Sequence, residues 1–288
     1  MLSLTTPSPF VKWAGGKRQL LAEILNKIPS KFNNYYEPFV GAGALLFSLK
    51  YNQVSYVNDI NKSLIHTYKI VKDSPNELID KLNELDNKFT SKSDYYECRN
   101  LFNEMIQKGN YDVLHAALFI YLNKRCFNGL YRVNSKGLFN VSFNNKENIR
   151  SFDKDNILKA SEWLQNKVIT NMDFETAVKT ASKGDFVFFD SPYAPLNNST
   201  FTSYAKDGFT LDDHKRLSKV FKELDKRGCY LMLTNHNTEL IRDLYKDFYI
   251  TVLKVKRLIN SNASKRVGEE VIITKNRKIK KKRKISHC

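Results

Sequence analysis

Asp190 follows four apolar residues, Phe186-Val187-Phe188-Phe189, and precedes Ser191, Pro192 and Tyr193. A carboxylate released at the end of a buried strand stands where open α/β sheets bind their ligands. With adjoining backbone carbonyls and an aromatic face at one point, the tetrapeptide suits a planar base bearing an exocyclic amine. Read alone, it is equally a polar turn that closes a strand. Phe39-Val40-Gly41-Ala42-Gly43 sets two glycines between a short strand and a helix start. That spacing turns the backbone tightly and lets it approach a ligand, although by itself it is no more than a glycine turn. Asp59 lies 16 residues beyond Gly43, at the end of the next short strand. Nucleoside-binding sheets use that position to hydrogen-bond a ribose. Gly16-Lys17 imitates the close of a phosphate loop, but such a loop also needs a glycine at position 11 and a hydroxyl at position 18. Val11 and Arg18 stand there, so an NTPase reading fails.

Such residues work only on strands whose carboxyl ends meet. YYEPFVGAGALLFSL reads as strand, glycine turn and helix start, and SYVND (55–59) as a second strand. Ahead of them, KRQLLAEILNKI (17–28) has helical spacing and stops before Pro29. From Lys62 to about Leu122 helical periodicity dominates, and then CFNGLYRVNSKGLFNVSFN sets two aromatic-rich arms about NSKG, as a hairpin does. After Phe152 strands and helices alternate again: KVIT, a helix over 175–181, DFVFFDSPY, a helix over Leu211–Lys226, YLMLTN, another helix, YITVLKVKRL and EEVIIT. The pattern predicts an α/β sheet with crossovers, interrupted by a mostly helical insert.

Composition fits that frame. The 288 residues are 42% hydrophobic and 27% charged, with a net charge of +17, a balance that supports a folded core. The longest mostly apolar stretch, Val113 to Leu122, is about half a membrane span. The N-terminal MLSLTTPSPF lacks the basic and apolar regions of a secretory signal. Cys98, Cys126, Cys229 and Cys288 are scattered, without ligand-like spacing, which predicts reduced thiols in a soluble, cytoplasmic protein and no metal site. Lys275 to Cys288 holds eight Lys/Arg and no acid, so setting it aside leaves +9 on residues 1–274. That remainder favours nucleic acid as the partner over a membrane surface.

Taken together the motifs resemble the Dam-type (alpha-group) DNA adenine N6-methyltransferases. The resemblance runs from about Pro9 to Thr274. In the family's order it is carried by PFVKWAGGKRQLL (9–21), YYEPFVGAGALLF (35–47), VNDIN (57–61), FNGLYRVNSKGLFNV (127–141), FVFFDSPYAPL (186–196), FTSYAKDGF (201–209) and RLINSNASKR (257–266). It implies a Rossmann-like S-adenosylmethionine-dependent methyltransferase sheet over 1–61 and 151–274. A mostly helical target-recognition insert with a β-hairpin would occupy 62–150, and a basic tail, expected to be disordered, 275–288. The implied cofactor is S-adenosylmethionine without a metal, and the implied substrate is double-stranded DNA. A cognate restriction endonuclease is a candidate partner, and a monomer is expected in solution.

By the same resemblance Trp13 and Lys17 line the cofactor pocket, Phe39, Gly41 and Gly43 approach the cofactor, Asp59 holds its ribose, and Asp190 meets the target base. The catalytic tetrapeptide is Asp190, Ser191, Pro192 and Tyr193. Ser191 departs from the usual Asp-Pro-Pro-Tyr: it keeps the carbonyl acceptor but loses the rigidity of proline. Phe127 and Asn128, at the base of the hairpin, would fill the space left by a flipped adenine and pair with the orphan thymine. Lys12, Leu130 and Arg132 match residues that read GATC, with the arginine on a guanine. Ser142 stands where several relatives carry a proline able to touch a thymine methyl. Cytosine-N4 methylation and a non-enzymatic DNA-binding regulator are the alternatives, and RNA as substrate stays open.

Overall fold

Among the described residues, apolar and aromatic runs become seven strands: β1 (Tyr35–Glu37), β2 (Ser55–Asn58), β3 (Lys167–Thr170), β4 (Phe186–Phe189), β5 (Tyr230–His236), β6 (Tyr249–Lys256) and β7 (Val267–Thr274). The computed structural model describes residues 6–13, 20–49, 53–196, 208–256 and 267–275. Lys17, residues 201–207 and 257–266 of the quoted motifs, and the tail beyond Lys275 lie outside the described residues.

The strands form one sheet in the order β3-β2-β1-β4-β5-β7-β6. β1, β2, β3, β4 and β5 pair in parallel, whereas β7 runs antiparallel to both β5 and β6. Successive strand residues serve opposite faces. Phe186 and Phe188 enter one core layer while Val187 and Phe189 enter the other. Met232 on β5 and Ile272 on β7 are flanked in the same manner by Leu231 and Leu233, and by Val271 and Ile273. Burial on both faces is why the central strands read as unbroken apolar runs.

One layer is covered by α1 (Leu21–Lys27), α2 (Lys62–Asp73) and α6 (Lys154–Leu164), the other by α7 (Phe174–Ala177), α8 (Leu211–Lys226) and α9 (Glu239–Leu244). The expected helix over 175–181 is a single α turn. Past Ala177 the chain tightens into i→i+3 bonds, Lys179 N–H to Thr176 O at 3.2 Å and Ala181 N–H to Val178 O at 3.0 Å, which turn Val178 and Ala181 into the core.

Between β2 and β3 the chain adds α3 (Pro75–Lys88), α4 (Lys92–Lys108) and α5 (Val113–Arg125). α5 is buried on nearly every side and packs against α2, α3 and α4. α2 packs against α5 and also against α6 and β3, so it belongs to insert and sheet alike. Side-chain caps fix where these helices begin: Asn61 for α2, a Ser91/Asp94 capping box for α4 and Asp112 for α5.

The hairpin closes with less regular pairing than its sequence suggests. Only isolated bridges join its arms, Val133 to Phe139 and Cys126 to Phe143. Its tip is held by Asn134 N–H to Leu138 O at 2.9 Å and its base by Phe127 N–H to Ser142 O at 2.8 Å. A turn of 3-10 helix at Phe127–Gly129, with Asn128 at φ 55°, interrupts the ladder.

Candidate active site

The strand order reverses direction between β1 and β4, the switch point beyond whose strand carboxyl ends open α/β sheets bind their ligands. Three acids stand at that edge: Glu37 as the last residue of β1, Asp59 one residue past β2, and Asp190 one residue past β4. Parallel pairing of β1 with both neighbours sets the three ends side by side.

Glu37 is 2% exposed. Its Oε2 accepts from the Tyr35 hydroxyl at 2.8 Å, and burial pushes its carboxyl up to about 8, with the Asp190 and Asp59 charges adding to the rise. Burial also raises the Asp59 carboxyl, against the pull of backbone N–H donors. Those donors are Gly41 at 3.1 Å and Asn61 at 2.9 Å. The glycine turn and the acid after β2 are therefore one unit. Gly43 N–H closes the turn onto Val40 O at 2.7 Å. Gly41 has φ +49°, and a Cβ there would lie 2.8 Å from Cδ1 of Trp13, so the indole covers the turn closely enough to admit only glycine. Phe39 sits beside it, its ring 5.4 Å from Phe174 and 5.8 Å from Phe209.

Around Asp190, β5 supplies the supports. The Thr234 hydroxyl donates to Asp190 Oδ1 at 2.8 Å. Asn235, fully buried, pins the following turn: its Oδ1 accepts from Ala194 N–H at 2.8 Å and its Nδ2 donates to Ser191 Oγ at 3.3 Å. Ser191 thus has a side-chain anchor that proline would lack. Pro192 is exposed. Tyr193 donates its hydroxyl to Glu270 on β7 at 2.9 Å, and its ring meets His236 edge-on at 4.7 Å. Burial, then the Asp190 and Glu270 charges, lift the Tyr193 phenol far above its ordinary range.

Lys12, Phe127, Asn128, Leu130, Arg132 and Ser142 come from two chain segments that one buried amide joins. Asn123 of α5 accepts from Lys12 N–H at 2.7 Å and donates to Lys12 O at 2.9 Å and Gly129 O at 3.2 Å. Phe127 is 55% exposed. Asn128, Arg132 and Ser142 are exposed as well, and Leu130 is half-buried. The Arg132 guanidinium is held by Asn140, with Nε on Oδ1 at 2.8 Å and Nη2 on the backbone carbonyl at 3.3 Å.

Glu37, Asn123, Thr234, Asn235 and Asn140 were not singled out by spacing. Their signal is a polar residue within an apolar run, as Glu37 closes Tyr35-Tyr36 and Asn123 ends LHAALFIYL. Such residues are retained where they are hydrogen-bonded. Lys17 lies outside the described residues.

Comparison with known proteins gives the geometry its setting. The profile of the family described as D12 class N6 adenine-specific DNA methyltransferase matches residues 13–259. The Type II methyltransferase M1.LlaDCHI of Lactococcus lactis subsp. cremoris is 43% identical over 271 residues, covering 92% of this chain and 94% of the relative. Type II methyltransferase M.MjaIII of Methanocaldococcus jannaschii is also 43% identical, over 90% of this chain and 94% of its own length. The DNA adenine methylase of Escherichia coli K12 is 34% identical, over 89% and 91%. The family description sets aside both the cytosine-N4 and the non-enzymatic alternatives. With a sheet of the expected kind, a match along most of its length and relatives well above 30% identity, the chain belongs to the D12 class of N6 adenine-specific DNA methyltransferases.

Proposed function

We propose that this enzyme flips an adenine out of a GATC site in duplex DNA and methylates its N6. The observation that carries the reading is the Asp190 carboxylate, oriented by Thr234 at the switch point of the sheet beside Glu37 and Asp59.

A methyltransferase of this family draws its methyl from S-adenosylmethionine, and the residues fit that molecule. The Gly41 turn leaves no room for a side chain, Asp190 offers a carboxylate towards the sulfonium and ammonium groups, and Asp59 offers acceptors to a ribose. Ile60, 72% exposed beside Asp59, and Phe39 offer apolar surface to an adenine ring. Trp13 belongs to the same wall, and Lys17 is assigned to it by resemblance. When bound, the cofactor supplies an electrophilic methyl on a sulfonium whose departure leaves a neutral thioether, chemistry that calls for no metal.

The protein's own task is to make a poor nucleophile attack. The N6 lone pair of adenine is delocalised into the ring. The Asp190 carboxylate and the Ser191 carbonyl accept hydrogen bonds from the two amino N–H groups, which favours a pyramidal nitrogen and localises the pair. Asp190 need not be a strong base, because the alkylated nitrogen sheds a proton readily. Tyr193 provides a face for the base, and the Asn235 bonds hold the turn that Ser191 would otherwise leave loose. Extruding the base costs a few kcal/mol. Phe127 would fill the vacated stack and Asn128 would face the orphan thymine. Arg132 offers two parallel donors to guanine O6 and N7, worth roughly 1–3 kcal/mol of discrimination. Lys12 adds a donor, Leu130 apolar contact, and Ser142 a weaker contact at the thymine than proline would give. We read residues 1–61 and 151–274 as the catalytic unit, 62–150 as the reader of DNA and 275–288 as a basic arm. A cognate endonuclease is the partner that the Type II relatives suggest.

Sequencing of modified bases in DNA treated with the purified chain tests the reading. N6-methyladenine concentrated at GATC is expected, and a methylated motif without GATC at its core overturns the specificity. Asp190→Ala should leave less than about a hundredth of the rate while DNA affinity stays nearly unchanged, because phosphate contacts supply most of it.

A further inference from the structure

Between the Gly41 turn and the base-reading hairpin stands one shared side chain. Tyr131 separates Leu130 from Arg132, and its ring stacks on Trp13 with 5.4 Å between centroids and 21° between planes. Phe119 of α5 backs the pair, 5.5 Å from Tyr131 and 6.3 Å from Trp13. Trp13 is the indole that covers Gly41. At the other end of Tyr131, the phenol stands near the side chains of Asn61 and Ser63 at the start of α2. Asn61 N–H in turn holds Asp59. The two walls assigned to the cofactor, Gly41 and Asp59, are thus joined through one phenol to the segment assigned to base reading. Tyr131 is itself neither at the Asp190 turn nor among the exposed readers.

We propose that Tyr131 is a positioning residue that couples the two sites. Filling the cofactor side fixes Trp13 and Asn61, and through Tyr131 it fixes Leu130 and Arg132. Cognate DNA exerts the reverse effect, since coupling between two binding equilibria is reciprocal. The inference rests on the proposed function, and its test keeps the two apart.

S-adenosylmethionine is titrated calorimetrically into the full chain, alone and with a saturating duplex bearing the sequence the chain methylates. That duplex is expected to tighten cofactor affinity at least about fivefold, the lower end of typical coupling. A duplex with the site scrambled should not. Tyr131→Leu, which keeps apolar bulk without ring or hydroxyl, should bring the ratio below about twofold, and Tyr131→Phe should keep most of it. The Trp163→Phe chain provides a readout that needs neither cofactor nor altered Tyr131. Trp13 is then the sole tryptophan, and its emission should respond to the cognate duplex and not to the scrambled one. Wild-type coupling in a folded Tyr131→Leu chain, or Trp13 emission indifferent to the cognate duplex, overturns the proposal while methylation by the same preparation leaves the function standing. A chain that methylates no duplex overturns both.

Discussion

Glu37 ties a single carboxyl to the pH dependence of the chain. Burial beneath Tyr35, with Asp190 and Asp59 close by, holds its proton up to about pH 8, against 4.5 for an exposed glutamate. Between those values the folded state keeps a proton that the unfolded state has released. The stabilisation is complete below the lower value and is lost as pH rises through the upper one, at up to about 1.4 kcal/mol per pH unit. Urea unfolding of the ligand-free chain across that window should show stability falling with pH. Glu37→Gln should remove that part of the slope, and an identical slope in both chains would refute the assignment. Arg132 and Asn140 make a second pair testable at this scale. Arg132→Ala should broaden methylation to sites lacking one guanine. Asn140→Ala, which frees a guanidinium now held at 2.8 Å, should cost about 1 kcal/mol of discrimination. Relative methylation rates on GATC and near-cognate duplexes measure both. Of these residues the sequence pointed only to Arg132, and that through resemblance to the family's readers, whereas its holder carries no mark of its own.

The insert depends on one cation at the end of α5. Arg125 is 1% exposed and pairs with Asp86 of α3 at 3.2 Å. It also donates to Ile149 O at 2.6 Å, while Asp86 accepts from Ser151 N–H at 2.8 Å. In sequence, Lys124-Arg125 reads as basic side chains placed favourably at a helix C-terminus. Packing of the 149–151 segment over the helix end turns the second of them into a buried strut. Removing one partner of such a pair is costly because the other stays desolvated. Arg125→Met should lower stability by roughly 3 kcal/mol, read as a lower urea midpoint, while the rate of methyl transfer by the chain that remains folded is retained. A midpoint equal to that of the wild type would show the pair to be idle. The all-apolar LHAALFIYL announces that α5 is central; nothing local announces that Arg125 joins it.

For the whole molecule, charge and sheet order act over the longest range. Lys275 pairs with Asp225 of α8 at 2.6 Å, so a truncation meant to spare the fold begins at Asn276. Removing residues 276–288 takes away seven Lys/Arg. It should leave the methylated motif intact and shallow the salt dependence of DNA binding, by about 0.9 in the slope of log K against log salt for each phosphate that the shortened chain no longer neutralises. Binding titrations at several salt concentrations check this, and a changed motif would mean that the tail reads bases. The sequence by itself determined what short-range pattern can encode. Apolar runs marked the strands, helical spacing marked α2 to α5, a pair of glycines marked the turn before Leu46, and Asp59 and Asp190 stood at strand ends. Tertiary structure decided which of those ends meet. β1 lies between β2 and β4, and that placement sets Glu37 beside Asp59 and Asp190 and gives its carboxyl a raised pKa. It likewise decided that Trp13 stacks on Tyr131 and that Asn123 binds Lys12 to Gly129. Local periodicity records which way a side chain faces, but pairing between segments more than a hundred residues apart is fixed only when the common core is buried.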